Sequence, residues 1–273
     1  MKHFKIIPSF LLVLFFTACA TSPTGRNQLM LVSPDEAIFA SREAYVKALS
    51  PLATDGKIDN NPVVSNRVKQ ITGRLITQAI ETYPHTSNWE WSVKVIDDPE
   101  MVNAWCMAGG KMAIYTGLLN KVQPTDDELA QVMGHEISHA LANHTAEKMS
   151  MAMASQMGMS ALSIVLSTTG YGYGGLTMTG AELAAATAIH LPNSRTAEEE
   201  ADRMGIELAA KAGYNPDAAA TLWQKMGKVG SDSPPEFLST HPAPSNRQET
   251  LRKLAPQVKH YYQEKKVRPV YPL

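Results

Sequence analysis

The sequence is poor in cysteine and in net charge. Cys19 and Cys106 are the only cysteines among its 273 residues, which excludes the disulfide framework typical of small secreted domains. The 25 basic and 26 acidic side chains give a formal net charge of −1, so no basic surface for nucleic acid is expected. The sequence also lacks a Gly-x-x-x-x-Gly-Lys-Ser/Thr loop, and any activity is therefore predicted to be independent of ATP.

The N-terminal apolar run is too short to span a bilayer. Residues 6–16 form this run of eleven residues behind a positively charged start, which is typical of a signal peptide. Small residues precede Cys19, a pattern that resembles the bacterial lipobox. The resemblance implies that residues 1–18 are removed and that Cys19 is acylated; an ordinary signal peptide with an incidental cysteine is the alternative. In Gram-negative lipoproteins, an Asp directly after the acylated cysteine resembles a signal for retention in the inner membrane. This sequence has Ala20 at that position, which favours a location at the outer membrane, facing the periplasm.

The remaining chain is predicted to form one domain behind a short anchor. We expect residues 19–33 to be a lipidated tether and residues 34–273 to fold around a single hydrophobic core. Acyl chains on Cys19 would hold the protein at a membrane, with about 0.8 kcal/mol contributed by each buried methylene. Cys106 is interpreted as a small buried hydrophobic residue.

Apolar periodicity predicts an α+β fold that is mainly helical. Tryptophan and valine alternate with polar residues over 89–95, and residues 101–107 and 111–115 are two strand candidates joined across 108–110. They predict a small β-sheet that lines a cleft. Apolar residues at helical spacing predict that helices form the rest. The expected helices cover residues 34–49, 62–80, 125–141, 194–212 and a segment near 248, while residues 233–244 are expected to form a loop.

Residues 135–139, His-Glu-Ile-Ser-His, carry the strongest chemical signal. His135 and His139 are four residues apart on a predicted helix, so both imidazoles can bind one zinc ion. Glu136 lies about 100° around the helix from His135, where its carboxylate can take a proton from water instead of binding the metal. Two histidines on an exposed helix face are the plain structural explanation. The capping pattern Thr125-x-x-Glu128 argues for a packed helix instead.

A catalytic zinc site needs a third protein ligand. The metzincin pattern places Gly at 142 and His at 145, but this sequence has Ala142 and Thr145, which excludes that class. His144 leaves the helix face that carries His139. It is interpreted as a core histidine or a histidine that supports a ligand from outside, with ligation of the metal as the alternative.

A downstream pair of carboxylates offers a better third ligand. Glu198 and Asp202 are four residues apart on a predicted helix and face the same way. One of them can bind zinc while the other accepts the free ring N–H of a ligating histidine.

These patterns together resemble the HtpX and CAAX-prenyl-endopeptidase family of gluzincin zinc metallopeptidases, in its small, soluble, lipoprotein branch. The similar pieces stand in the family's order over residues 95–250, and none would be sufficient alone. They are Asn103-Ala104-Trp105 with Gly109-Gly110, Gly117-Leu118-Leu119, residues 135–139 with His144, Ser194-Arg195 and Glu198 before Glu200-Ala201-Asp202, residues 212–216, and Ser239-Thr240-His241-Pro242 with Arg247.

The resemblance implies one Zn²⁺ ion per chain and a gluzincin metallopeptidase fold. It implies that His135, His139 and Glu198 bind the ion, that Glu136 is the general base, and that Asp202 supports a ligand histidine.

Further roles implied by the resemblance concern the substrate. His241 would lie over the metal from the opposite side, where it stabilises the oxyanion or occupies the fourth position in a resting state. Asn103 and Ala104 would lie on the strand that holds an extended peptide by strand addition, and Arg247 would contact substrate or anchor its loop.

We therefore expect a zinc-dependent metalloendopeptidase of the cell envelope. Its expected substrates are misfolded or misassembled envelope proteins, an expectation that rests on analogy with the family and on the expected location of the protein. The expected biological role is therefore protein quality control. The alternative is a chaperone or assembly factor for outer-membrane proteins with latent or secondary protease activity. A latent state with His241 on the metal is a further possibility.

The segment between the two metal-binding helices leaves three interpretations open. Residues 149–190 are moderately apolar and rich in methionine and alanine. They are typical of a helix packed beside the catalytic one, but a methionine-lined gate or a lipid-facing flap fits the same composition.

Overall fold

The computed structural model describes residues 19–167, 179–191, 193–229, 235–242, 246–263 and 266–273. These residues form helices around a three-stranded sheet, with a two-stranded sheet at the N-terminal end. This architecture confirms the predicted α+β, mainly helical class. Within these ranges, no helix combines the length and the apolar character needed to cross a membrane.

The N-terminal segment is folded against the domain. Strands β1 (Cys19–Thr21) and β2 (Asn27–Leu29) pair as an antiparallel hairpin, and Ser22 and Gln28 are buried. This segment also supplies polar side chains that pair with groups of the domain. The predicted lipidated tether over residues 19–33 stays a prediction. The predicted signal peptide, residues 1–18, lies outside the described residues.

Two long helices follow, each with the start that its sequence predicts. Helix α1 (Pro34–Thr54) begins behind Ser33, which forms a reciprocal capping box with Glu36. Helix α2 (Pro62–Thr82) begins behind Asn61, whose side chain accepts hydrogen bonds from the first turn. Both helices end a few residues beyond the predicted positions because sequence signals at these helix ends are weak.

The three-stranded sheet contains β3 (Ser92–Ile96), β4 (Ala104–Met107) and β5 (Lys111–Tyr115) in the order β3-β5-β4. β3 is parallel and β4 antiparallel to β5. Gly110, in the predicted turn, has a φ of 76°, and a Cβ there would lie 2.2 Å from the Trp91 ring, so the turn requires glycine. A 3₁₀ turn at Pro84–Asn88 moves the start of β3 from the predicted 89 to Ser92.

The central helices carry the motif residues. Helix α3 (Thr116–Val122) follows β5, and α4 (Asp126–Leu141) begins with the predicted Thr125–Glu128 capping box. Asn143, with a φ of 57°, separates α4 from α5 (His144–Ser167). Met149 of α5 is buried while Met151 is about half exposed. Residues 168–178 lie outside the described residues, so the gate, lipid-contact and core interpretations of 149–190 stay predictions.

The C-terminal half completes the helical layer. Helix α6 (Gly180–Ala185) packs on α1 and continues as a π-helical turn, Ala186–His190. A five-residue helix, Glu236–Thr240, lies within the segment predicted as a loop, because so short a helix in a proline-containing stretch gives no helical period that the sequence could show. The remaining elements are α7 (Arg195–Lys211), α8 (Ala218–Met226), α9 (Glu236–Thr240), α10 (Arg247–Val258) and a 3₁₀ turn at Lys259–Tyr261.

Helices α4 and α7 cross at backbone contact in the middle of the main core. Gly134 and Gly205 face each other at the crossing, and a Cβ on Gly205 would lie 2.8 Å from the backbone nitrogen of His135. The core on either side of the crossing is formed by α2, the sheet and α8, through residues such as Leu75, Ile114 and Leu222. The close crossing brings the polar residues of α4 and α7 together inside an apolar surround.

Candidate metal centre

Helix α4 directs the two motif histidines to one point. His135 and His139 are each 4% exposed, and their Nε2 atoms lie 3.0 Å apart. The start of the helix is fixed because the buried carboxylate of Glu128 accepts from Lys225 of α8 at 2.6 Å. The motif therefore lies on a buried, capped helix, as its pattern predicts.

Helix α7 brings a carboxylate to the same point. Glu198 is completely buried, with Oε2 3.2 Å from His135 Nε2 and Oε1 3.3 Å from His139 Nε2. The glycine contact between the two helices makes this approach possible, because a side chain at the crossing would separate them.

His241, at the C-terminal end of α9, joins the cluster from the opposite side. Its Nδ1 lies 3.2 Å from His135 Nε2 and 3.1 Å from Glu198 Oε1. Phe237 stacks on the ring with a centroid distance of 4.4 Å, and the amide of Asn193 lies 3.4 Å from Nδ1. His241 therefore stands among the candidate ligands, in the place that the resting-state interpretation describes.

The donor atoms fit a zinc ion. One ligand atom from each of His135, His139, Glu198 and His241 lies within 4.8 Å of the others. A tetrahedral zinc ion with bonds of about 2.0–2.1 Å separates its ligands by about 3.3 Å, and the contacts given above run from 3.0 to 3.3 Å. Glu136 lies beside the cluster, and its buried Oε1 has no hydrogen-bond partner in the described part of the chain.

The charges at the centre favour a bound cation. Burial alone would raise the pKa of Glu198, but His241 and His135 hold it well below its usual range. Burial lowers the pKa of His139 well below its usual value, which keeps its Nε2 lone pair available to a metal. Burial opposes protonation of His135 as well, yet Glu198 and Asp202 outweigh it and raise its pKa to about 9. The negative charge of Glu198 and Asp202, which favours a proton on His135, also attracts a metal cation.

Glu136 is placed for proton transfer. Its Oε1 lies 3.4 Å from His241 Nε2, a distance within ion-pair range but without hydrogen-bond geometry. Burial raises the pKa of Glu136, although His241 and His135 act in the opposite direction. A carboxylate of raised pKa is a stronger base than an exposed one.

Asp202 supports His135 in the way that the sequence spacing predicts. Its Oδ1 lies 3.0 Å from His135 Nδ1, so the ring N–H donates to this carboxylate and Nε2 faces the centre. Arg247 donates to Asp202 at 2.5 Å and to Glu198 at 3.2 Å, and its guanidinium lies 3.5 Å above the Trp223 ring. Arg247 is 4% exposed, so its positive charge neutralises the two carboxylates inside the protein, beneath the candidate ligands. The sequence did not indicate these two ion pairs.

His144 lies behind His139 and outside the ligand cluster. The Nδ1 atoms of the two rings are 2.7 Å apart, and His144 Nε2 lies 3.1 Å from Glu200 Oε2. The predicted role of a supporting histidine matches this position. Glu200 was missed as a supporting residue because three consecutive acids, residues 198–200, do not reveal which ones turn inward.

The predicted substrate residues are enclosed. Asn103 is 2% and Ala104 0% exposed, and Asn103 Oδ1 accepts from the Ala104 N–H at 2.9 Å. β4 is one of the two edge strands of its sheet, and the π-helical turn Ala186–His190 lies near it. The substrate roles of Asn103 and Ala104, which require a peptide to add to β4, stay predictions.

The fold and the site define a zinc metallopeptidase, in which one helix carries His-Glu-x-x-His and a second helix carries the glutamate. Residues 62–255 match peptidase family M48, and the chain belongs to this family.

Curated relatives agree with this assignment. The chain is 38% identical over 197 residues to mitochondrial metalloendopeptidase OMA1 of Arabidopsis thaliana, which covers 72% of this chain and 37% of the relative. It is 33% identical over 253 residues to mitochondrial metalloendopeptidase OMA1 of Homo sapiens, and the match covers 90% of this chain and 47% of the relative. It is 28% identical over 204 residues to the beta-barrel assembly-enhancing protease of Escherichia coli (strain K12), and the match covers 73% of this chain and 40% of the relative. The chain thus spans about half or less of the length of these relatives.

Proposed function

We propose that this protein is a zinc-dependent, ATP-independent endopeptidase that hydrolyses peptide bonds of protein substrates. The observation that carries the proposal is the buried cluster of His135, His139, Glu198 and His241, with Glu136 beside it, whose Oε1 accepts no hydrogen bond from the described residues. A structural zinc site needs no such carboxylate. Endopeptidase relatives named for this activity support the same conclusion.

The side chains around the metal have separable tasks. When bound, the zinc ion supplies Lewis-acid polarisation of the scissile carbonyl and of a water molecule. Glu136 accepts the proton of the attacking water and returns it to the leaving amine. His241 Nε2 faces Glu136 and can donate to the developing oxyanion. Asp202 fixes the tautomer of His135, and Arg247 holds Asp202 in place.

The proposal is tested by changing Glu136 alone. We expect Glu136→Gln to bind one zinc ion per chain, because Glu136 is not a ligand, and to lose at least about 99% of the cleavage of unfolded casein, since a general base contributes about 10²–10⁴-fold. Glu199→Gln is the matched control because Glu199 is an exposed carboxylate on α7 and should keep full activity. Zinc-loaded Glu136→Gln protein that cuts like the parent would refute the proposal.

We further propose that the protein acts in the cell envelope as a lipoprotein, on misfolded or misassembled envelope proteins. The pattern before Cys19 supports the anchor, and relatives named beta-barrel assembly-enhancing protease support the substrate class. Cys19→Ser should abolish labelling by a palmitate analogue and release the protein from the outer-membrane fraction. Labelling that survives this change would contradict the anchor.

The enclosed site favours a latent form of the same enzyme. The candidate ligands and Glu136 are each at most 4% exposed, and His241 Nδ1 lies close enough to His135 and Glu198 to serve as a fourth ligand. His241→Ala should then retain three ligands and increase the rate of cleavage of an unfolded substrate. A simple loss of activity in a variant that still binds zinc would assign His241 to oxyanion stabilisation alone.

A further inference from the structure

We propose that the N-terminal hairpin, residues 19–29, positions the zinc ligand His139 through a chain of buried hydrogen bonds. The chain leads from Arg26 to Glu200, from Glu200 to His144 and from His144 to His139. We call these connected side chains the hairpin relay. The proposal rests on the proposed function, because the relay ends on a candidate ligand of the catalytic zinc.

The directions of the hydrogen bonds follow from the task of His139. When Nε2 offers its lone pair to a metal, the neutral ring carries its proton on Nδ1. That proton is donated to His144 Nδ1, 2.7 Å away, so His144 carries its own proton on Nε2. This N–H donates to Glu200 Oε2 at 3.1 Å. The Glu200 carboxylate therefore fixes the tautomer of His144, and His144 fixes the tautomer and orientation of His139.

The hairpin holds Glu200 in place. Arg26 Nε donates to Glu200 Oε2 at 2.7 Å, Thr24 Oγ1 donates to Oε1 at 2.5 Å, and Ser22 Oγ also donates to Oε1. Within the described ranges, Arg26 is the only Lys or Arg paired with Glu200. Since a buried carboxylate is costly without partners, the hairpin supplies the hydrogen bonds and the positive charge that hold the Glu200 side chain in its orientation.

The hairpin also forms hydrogen bonds to the two helices that carry His139 and His144. Arg26 forms a two-point ion pair with Glu147, at 2.6 and 2.5 Å, on the first turn of α5. Gln28 Nε2 donates to Glu147 and to the carbonyl of Ala142, each at 2.8 Å, at the end of α4. One short segment thus contacts both helices that contribute histidines to the relay.

This arrangement joins the proposed membrane anchor to the metal ligand. Ser22 lies three residues after Cys19, and β1 begins at Cys19 itself. A change in the position of the hairpin is therefore transmitted to Glu200 and through it to His139.

The test compares zinc affinity in full-length protein purified in detergent, by competition with a chelator of known affinity. The Ser22→Ala/Arg26→Met double variant removes two of the hairpin's contacts to Glu200, together with the ion pair between Arg26 and Glu147. We expect its affinity for zinc to fall about ten- to a hundredfold, the usual effect of losing the support of a ligand. Arg26→Lys should retain more of the affinity because it keeps the charge. Arg42→Met is the matched control, since the Arg42–Glu90 pair is about half exposed, and should bind zinc like the parent.

A second readout separates positioning from general stability. The visible absorption of Co²⁺ in the site should change in the double variant, because the spectrum reports the geometry of the ligands. Should this variant fail to fold, Glu200→Gln tests the same step, since the amide keeps the shape but not the charge. Unchanged affinity and an unchanged Co²⁺ spectrum in a folded relay variant would overturn the proposal, even if the melting temperature fell. A parent protein that binds no zinc would refute the proposed function instead.

Discussion

The crossing of α4 and α7 predicts that one added methyl group weakens the metal site. In Gly205→Ala the new Cβ would lie 2.8 Å from the His135 backbone nitrogen and 2.9 Å from its Cα. Both neighbours are backbone atoms inside a helix, so neither can turn away as a flexible side chain can. The two helices must therefore separate.

The size of the movement follows from these contacts. Ordinary van der Waals contact of a Cβ begins at 3.4 Å, so the backbones must part by roughly half an ångström, and overpacking of this kind costs about 1–3 kcal/mol of stability. His135 lies on one side of the crossing and Glu198 on the other helix. Because metal–ligand distances tolerate only about 0.2 Å, we expect zinc affinity to fall by at least about tenfold, equivalent to about 1.4 kcal/mol.

The assay combines thermal unfolding by circular dichroism with zinc competition against a chelator. Gly227→Ala is the control, because the nearest atom to its Cβ would be 3.5 Å away and its φ is −66°. The control should bind zinc normally and keep or slightly raise its stability. Parental zinc affinity and melting temperature in Gly205→Ala would refute the claim that this crossing sets the ligand positions.

Three further predictions address the surroundings of the site. Arg247→Met leaves Asp202 and Glu198 without their buried cation and should lower the free energy of urea unfolding by about 3–5 kcal/mol. Removing zinc with a chelator should lower the melting temperature, because free zinc at a thousand times its Kd stabilises the fold by about 4 kcal/mol. Burial would raise the pKa of Glu128, but Lys225 and the Thr125 N–H lower it. Glu128→Gln should therefore lower the free energy of unfolding by about 1 kcal/mol at pH 7. This difference in stability between variant and parent should disappear as the pH falls below about 4.3 and through the lowered pKa of Glu128 in the folded state.

Local patterns made much of the site predictable. A capping box spans four residues, and the two motif histidines and the Glu198–Asp202 pair are each four residues apart. Such spacings fix a shared helix face before any tertiary contact forms. The structure places all four of these side chains together, with Asp202 on His135 and Glu198 among the candidate ligands.

The contacts that the sequence did not show are long-range. Arg26 and Glu200 are 174 residues apart, and no periodicity relates a polar hairpin to a helix that distant. The glycine crossing left a weaker trace. Gly205 lies on the helix face that also carries Glu198, Ala201 and Asp202, and an isolated glycine inside a helical pattern often has a packing reason. The sequence alone did not identify its partner, Gly134.

The four candidate ligands are held with unequal firmness, which indicates where the site opens. His135, His139 and Glu198 lie on long helices locked at a backbone crossing. His241 instead follows α9, a five-residue helix without a side-chain cap, attached through the Phe237 N–H to Val102 and the Asn193 N–H to the Thr240 carbonyl. Moving the three helical ligands would separate the two crossed helices, whereas moving His241 disturbs a few hydrogen bonds and one core side chain, the stacked Phe237 ring. We therefore predict that, with zinc bound, His241 is the ligand that would give way to water and substrate, while the three helical ligands would stay in place.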